Sequence, residues 1–512
     1  MWTKRELLLA GAGTAVATGT TPGLALAQFL AGEPAAPNLK YSTPKPSGVE
    51  MAGQVETRLG QLKFFGGFPD QSSVDRLYDN LDFQRAVQAY LLALPVVNQV
   101  GNRDAILAVG PANTTVPIWE TMVDARTVEL TANNNTPYTW FWLDLRAGPL
   151  VVEAPPNVLG VVNDIWYKWV GDIGLAGPDK GKGGKYLLLP PGYIGHIPSE
   201  HHVLRPGSNH TWIAWRSFLV GDDPKPGVDL VKMNTKIYRL GEADRAPQLN
   251  FVDMSSKPFN MVAPADYPFW ELLNKVVQDE PTSEVDATTL GFWASVGIMK
   301  GKPFAPDERM KKILTEAAIV GDATARAIMY RWRGADGYWY SDRNWRLGFV
   351  GGYKFEDNGA RLLNAYSGFF FYATGVTPAM DSRSIGEGSQ YLAMFVDSNK
   401  NVLDGGRAYK LHLPPNIPIK NFWSVIVYDN QTRSMLQTDQ RFPSVSSQNK
   451  NLKTNADGSV DVYFGPKAPA GFEDNWAQTV PGASWNILLR LYGPLQAFFD
   501  KTWRPGEIEL QS

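Results

Sequence analysis

Cysteine is absent from the 512 residues. That excludes disulfides, thiolate metal sites and cysteine nucleophiles in any compartment. Histidine is scarce as well, limited to His196, His201, His202, His210 and His412. Adjacent His201 and His202 cannot share one face of a strand, and Gly195-His-Ile-Pro-Ser-Glu-His-His-Val203 reads as a solvated loop rather than a metal site. No cofactor is expected, although a divalent metal stays open. Charge of one sign is lacking too: 49 basic side chains nearly cancel 51 acidic ones. No global field would therefore gather nucleic acid or an anionic surface. No run after the N-terminal segment offers about 18 consecutive apolar residues, so no membrane span is expected. Several catalytic signatures are missing. There is no His-Glu-x-x-His, and Gly386-Glu-Gly-Ser-Gln390 lacks the second glycine of a nucleophile elbow. Lys180-Gly-Lys-Gly-Gly-Lys185 fits no Walker loop and reads as a tight turn with solvated lysines.

What the chain has in quantity is 17 Trp, 20 Tyr, 37 Pro and 48 Gly. That mix favours short strands, tight turns and aromatic-walled pockets over helical bundles. Its length calls for two or three domains. Lys4-Arg5, the apolar stretch Leu7 to Ala17 and the small residues Ala25-Leu-Ala27 read as an export signal over residues 1–27. Cleavage before Gln28 would place the protein in the periplasm or outside the cell. Thr3-Lys-Arg-Glu-Leu-Leu8 resembles a twin-arginine signal with Lys for the first Arg. Both that route and general secretion stay open.

Residues 28–55 read as a linker or arm, rich in Pro, Ala, Gly and Ser. Residues 56–224 read as an N-terminal β-rich domain preceded by a helix. Apolar spacing predicts that helix over Ser72 to Leu94, capped by Ser72 or Ser73 and ended by Pro95. Short strands are predicted at 127–130, 138–143, 150–153, 160–167, 186–189 and 211–215. Residues 225–335 read as a helical region, clearest from Pro306 to Tyr330 with Asp307 and Glu308 in its first turn. Residues 336–512 return to strands, near 391–396, 408–413, 422–428, 460–464 and 485–492, and Asp457-Gly458 signals a hairpin. The class is mainly β with a helical middle (α+β), as two β-sandwich domains linked by a helical segment.

Three polar groups stand out. Alternation would set Asp164, Trp166, Lys168 and Val170 on one side of a strand, and Asn134 and Tyr138 belong to a nearby amide-rich stretch. A carboxylate, an indole and an ammonium together can hold sugars or small acids. Trp423, Asp429, Arg433 and Trp476 form a second group, and Arg383, Glu387 and Tyr391 a third. Catalytic roles are expected for Asp164, Asp429 and Glu387, as acid–base carboxylates. Substrate contacts are expected from Asn134, Tyr138, Trp166, Lys168, Arg383, Trp423, Arg433 and Trp476. The competing reading makes Asp429 a turn cap and the Asp164 group a salt-bridged outer sheet face.

Two long motifs lie nearly 300 residues apart. The first runs through Thr131-Ala-Asn-Asn-Asn-Thr-Pro-Tyr138, Asp164-Ile-Trp-Tyr-Lys-Trp169 and Gly181-Lys-Gly-Gly-Lys-Tyr186. The second runs through Asn421-Phe-Trp-Ser-Val-Ile-Val-Tyr-Asp429, Asn455-Ala-Asp-Gly458 and Leu489-Arg-Leu-Tyr-Gly-Pro494. Together they resemble bacterial proteins that pair a domain of unknown function numbered 1254 with one numbered 1214 (DUF1254 and DUF1214). The resemblance implies β-sandwich domains, the C-terminal one jelly-roll-like, a helical joint and homo-oligomers; it brings no catalytic residues. The expected function is an exported hydrolase or lyase acting on a carbohydrate or other small polar substrate, in a cleft between β domains. The partner would be a small-molecule or glycan ligand. The alternative is a non-enzymatic ligand-binding or assembly protein of the cell envelope.

Overall fold

A computed structural model describes residues 39–511. The expected export signal and residues 28–38 of the expected arm lie outside the described residues. The chain divides into two compact units after Asp82. In the first, Gln54–Thr57, Gly60–Phe65 and Phe68–Pro69 form an antiparallel three-stranded sheet. A helix, Gln71–Val109, follows. Its cap is Asp70, whose Oδ1 accepts from the Ser73 amide at 2.8 Å. The expected serine caps are thus corrected: the Ser73 hydroxyl is taken by the Lys63 amide at 2.8 Å, leaving the carboxylate to satisfy the first turn.

That helix also runs through Pro95 instead of ending there. Proline removes the amide that would reach the Leu91 carbonyl. The buried Ser367 hydroxyl donates to that carbonyl instead, at 3.5 Å. Leu91, Leu94, Val96 and Val97 are all buried around the break, so packing overrides the local signal.

The second unit, Phe83–Ser512, is mostly β. A six-stranded sheet has the order Asn250–Asp253, Thr115–Trp119, Tyr138–Asp144, His210–Arg216, Leu159–Asp164, Trp169–Gly174. It packs on a four-stranded sheet ordered His202–Leu204, Gly184–Leu188, Leu150–Ala154, Lys236–Arg239. Phe141, Leu143, Ile213 and Trp215 of the first meet Val152, Tyr186, Leu188 and Ile237 of the second in one apolar layer. The C-terminal sandwich repeats the scheme. A five-stranded sheet ordered Arg346–Leu347, Ser389–Met394, Trp485–Tyr492, Trp423–Asp429, Ser444–Ser446 faces a four-stranded one ordered Trp476–Gln478, Val460–Gly465, Tyr409–Leu413, Ile508–Leu510. Val425, Ile487 and Leu489 pack there against Leu411, Val462 and Phe464.

Strands alternate, so the six- and five-stranded sheets each have a second face. Trp140, Trp142, Trp212 and Ala214 stand on one, and Ala393, Ile426, Tyr428 and Leu488 on the other. Both join a single apolar cluster with the long helix and with Pro268–Asp279, Ala287–Ser295, Glu308–Tyr330 and Leu363–Tyr372. Asp307 caps Glu308–Tyr330, accepting from the Met310 amide at 2.7 Å, rather than sitting inside its first turn. Most predicted strands fall within one or two residues of those observed. The Asp457-Gly458 signal is corrected. Gly458 does make a turn, at φ +85°. However, Val460–Gly465 pairs with Tyr409–Leu413 and Trp476–Gln478, so the turn closes no hairpin. Among the described residues no helix is long and apolar enough to cross a membrane.

Candidate functional site

The two sheet faces do not meet everywhere. Between them lies a cavity of about 1260 Å³. Register explains its walls. On His210–Arg216, Trp212, Ala214 and Arg216 point one way while Ile213 and Trp215 enter the sandwich core. Arg216 pairs across the ladder with Tyr138, so both stand at the same end of the cavity. On Trp485–Tyr492 the same alternation sends Leu488, Arg490 and Tyr492 to the cavity and Ile487, Leu489 and Leu491 to the core. Arg490 pairs with Tyr391 of Ser389–Met394.

The segment between these sheets is the amide-rich stretch of the first motif, and the second motif holds it. The Thr131 amide donates to the Arg433 carbonyl at 2.9 Å. Arg490 donates to the Thr131 carbonyl and the Tyr428 hydroxyl, both at 2.6 Å, and Tyr428 in turn donates to the Ala132 carbonyl at 2.6 Å. Asn134 donates to Ser444 at 2.8 Å, and Asn135 to Gln448 at 3.2 Å. Burying so many amides would be costly without these partners. The two motifs are therefore one structure, closed across 300 residues of chain. A further wall is the loop after Leu363–Tyr372. Asn163 reads its backbone in both directions, donating to the Val376 carbonyl at 2.9 Å and accepting from the Val376 amide at 3.1 Å. Thr377 donates to Asp172 at 2.6 Å.

Electrostatically the lining is uneven. Lys180, Arg216, Lys420 and Arg490 line it against Glu129, Asp172 and Glu387. Glu129 is 1% exposed and neither carboxyl oxygen has a hydrogen-bond partner of ordinary geometry. Burial pushes its pKa up to about 8, opposed by the Thr374 side chain and the Leu130 amide. Glu129 is thus largely neutral at pH 7, leaving four cations facing Asp172 and Glu387. Burial raises Asp172 also, with Thr377 working against it. Burial disfavours the charge on Arg216 and on Arg490. Surrounding phenols outweigh that and raise both: Tyr138, Tyr492 and Tyr391 for Arg216, and Tyr428 and Tyr492 foremost for Arg490.

Of the residues singled out from sequence, Tyr138 and Glu387 line this cavity, and so does Tyr391. The rest stand elsewhere. The proposed alternation at Asp164 is corrected, because Leu159–Asp164 ends there and the next strand starts at Trp169. Residues 164–168 are the hairpin turn between them, with Tyr167 at φ +60°. Asp164 is buried there and accepts from the Lys168 amide at 2.9 Å; burial pushes it up to about 7. Trp166 packs on Trp293, and the Lys168 ammonium reaches Glu284. Asp429 is a turn cap, accepting from the Gln431 amide and from the Thr432 amide at 3.2 Å. Arg433 stacks on Phe371 at 4.4 Å. Trp423 lies in the C-terminal core, and the Trp476 indole donates to the Gly465 carbonyl at 2.9 Å. Asn134 is buried against Ser444, and Arg383 is exposed outside the lining.

Arg216, Arg490, Tyr492 and Glu129 were missed as site residues. A signal existed for the first three: an arginine or tyrosine continuing the inward-facing series of an otherwise apolar strand breaks the pattern toward a site. Glu129 gave none. Among the described residues no group of three or more His, Cys, Asp or Glu could hold a metal ion.

One solved structure shares this architecture. The VPA0106 protein of Vibrio parahaemolyticus is 19% identical and has the same fold, with a TM-score of 0.53 over 84% of this chain and all of its own. An uncharacterised protein of Burkholderia cenocepacia, 13% identical, aligns over 86% of this chain and 96% of its own with a TM-score of 0.37. No functionally curated protein matches. Residues 113–239 match the family described as protein of unknown function DUF1254, and residues 388–496 the one described as protein of unknown function DUF1214. The DUF1254 match contains the Thr131–Tyr138 stretch and the DUF1214 match contains Tyr428 and Arg490, so this chain carries a match to each of the two domains, one in each β-rich half.

Proposed function

We propose that this is an exported protein that binds a small organic molecule in the cavity between its two β sandwiches. One observation carries the reading: a space of about 1260 Å³, walled by aromatic rings and a few convergent polar groups, with both family motifs contributing. Ligand sites are concave and mostly apolar, typically about 300–1,000 Å³, so this space is at or above the upper end of that range. Trp140, Trp212, Phe349 and Phe369 supply flat apolar surface. Export rests on the N-terminal segment alone.

A second reading adds turnover, by a hydrolase or lyase acting on a carbohydrate or another polar substrate. Glu129 favours it: a buried carboxyl that keeps its proton near neutral pH is suited to acid–base work. Asp164 and Asp429, set in turns away from the lining, do not support such a role.

A thermal-shift screen tests binding. A ligand at 100 times its Kd adds about 2.7 kcal/mol. For a unit of this size that is a rise of about 3 °C. The Ala214→Trp variant, which fills the cavity from the N-terminal sheet, should lose the shift. An equal shift in that variant would place binding elsewhere. Turnover is tested with any hit: Glu129→Gln should abolish it while keeping affinity, and undiminished turnover would refute the acid–base role.

A further inference from the structure

Three of the buried arginines, Arg346, Arg433 and Arg490, spend their guanidinium nitrogens on protein acceptors, and the half-buried Arg216 differs from them. Arg346 donates to the Gly337 and Met329 carbonyls at 3.0 and 2.9 Å. Arg433 donates to the Phe371 and Gln431 carbonyls, and Arg490 to Thr131 and Tyr428. Arg216 has the Tyr492 phenol as its side-chain hydrogen-bond neighbour, and no carboxylate is among the groups that act on it. It lies over the Tyr492 ring at 5.4 Å and lines the cavity. A single phenol leaves most of the donors of the arginine's fixed fork available to that space. A half-buried guanidinium without a carboxylate partner is only partly compensated. Such a group is a built receptor for an anion, which it binds bidentately when the anion is planar.

Its surroundings narrow the class. Tyr138, Tyr391 and Tyr492 stand beside it as phenols of the same lining. Phenols can donate to an anion and cannot neutralise the arginine as a carboxylate would. Lys180 and Lys420 are exposed cations of the same lining, where they favour entry of a negative ligand. Arg490, the other deep cation, already uses its two terminal nitrogens on the protein. One guanidinium without a carboxylate partner suits a single negative charge better than a phosphate dianion. Away from this end the walls are Trp140, Trp212, Phe369 and Leu488.

We infer that the ligand is a small organic acid, its carboxylate held by the guanidinium of Arg216 and its apolar or aromatic body lying along Trp140, Trp212 and Phe369. This rests on the cavity being the ligand site.

The test is calorimetric titration of the purified protein with a panel of aromatic and alicyclic monocarboxylic acids, each beside its primary amide. Acids should bind at least about tenfold more tightly than their amides. Arg216→Gln should erase that preference while leaving amide affinity within about twofold. Arg216→Lys, which keeps a charge without the fork, should retain part of it. Acids and amides binding the wild type equally would overturn the inference and leave the cavity reading standing. So would an undiminished acid preference in a folded Arg216→Gln. The acid–amide comparison in the wild type stands even if the variants do not fold. Two results would instead fell the cavity reading, and the inference with it: silence from the whole panel, or unchanged binding in both Ala214→Trp and Ala393→Trp.

Discussion

Replacing Glu129 by Gln should change how stability depends on pH, and its size follows from the structure. Both carboxyl oxygens are buried without ordinary partners, and burial raises the pKa from 4.5 to about 8. In the unfolded chain the proton leaves near pH 4.5; in the native protein it stays until about pH 8. Between those values the native state binds more protons, so stability falls as pH rises. At 1.36 kcal/mol per pH unit the loss is about 4–5 kcal/mol by pH 8. A glutamine has no such titration. It pays only a pH-independent change in hydrogen bonding. The advantage of Glu129→Gln over wild type should therefore grow by about 4 kcal/mol between pH 5 and 8. Unfolding entropy of about 2 cal/mol/K per residue turns that into about 4 °C for the second unit. Differential scanning calorimetry at half-unit steps would show it. Asp164 adds its own slope up to about pH 7, common to both proteins, so only the difference between them is diagnostic. Parallel Tm curves would refute the burial argument for Glu129.

Asp164→Asn should leave ligand affinity within about twofold and alter only stability, since Asp164 organises a hairpin turn outside the cavity lining; titration of the variant checks this. Gly101→Ala should destabilise by about 3 kcal/mol or more, because a Cβ there overlaps the Met261 carbonyl oxygen, a backbone atom that cannot step aside. Chemical denaturation measures it. Ser367→Ala should cost about 1 kcal/mol by leaving the Leu91 carbonyl without a donor beside Pro95, and a cost near zero would show that the proline break is satisfied otherwise.

Much of the fold was legible because strands declare themselves locally. Tyr138–Asp144 and Trp485–Tyr492 are aromatic and β-branched runs bounded by turn residues, and both formed where expected. What misled was local grammar that distant residues overrule. Pro95 reads as a stop until Ser367, far along the chain, supplies a donor. Asp164 to Lys168 reads as an alternating strand, but the Lys168 amide turns back onto the Asp164 carboxylate. The site was less legible, for a related reason. Its polar residues come from opposite sandwiches: Arg216 acquires meaning only when Tyr492 is set over it. Asn134 looked like a ligand contact. Its side-chain NH2 is spent on Ser444, outside the cavity lining, so it shapes the wall rather than meeting a substrate. Tyr138 and Glu387 were found because each stands in a local cluster of polar and aromatic residues that the sequence shows directly.

The central claim is that the cavity receives an acid whose carboxylate meets Arg216. A crystal structure of the protein soaked with the tightest-binding acid of the panel tests it most directly. The account predicts density between the two sandwiches, with the carboxylate within hydrogen-bond distance of the Arg216 guanidinium and the body against Trp212. An empty cavity with the acid bound elsewhere, or the acid inside with its carboxylate turned away from Arg216, would contradict it.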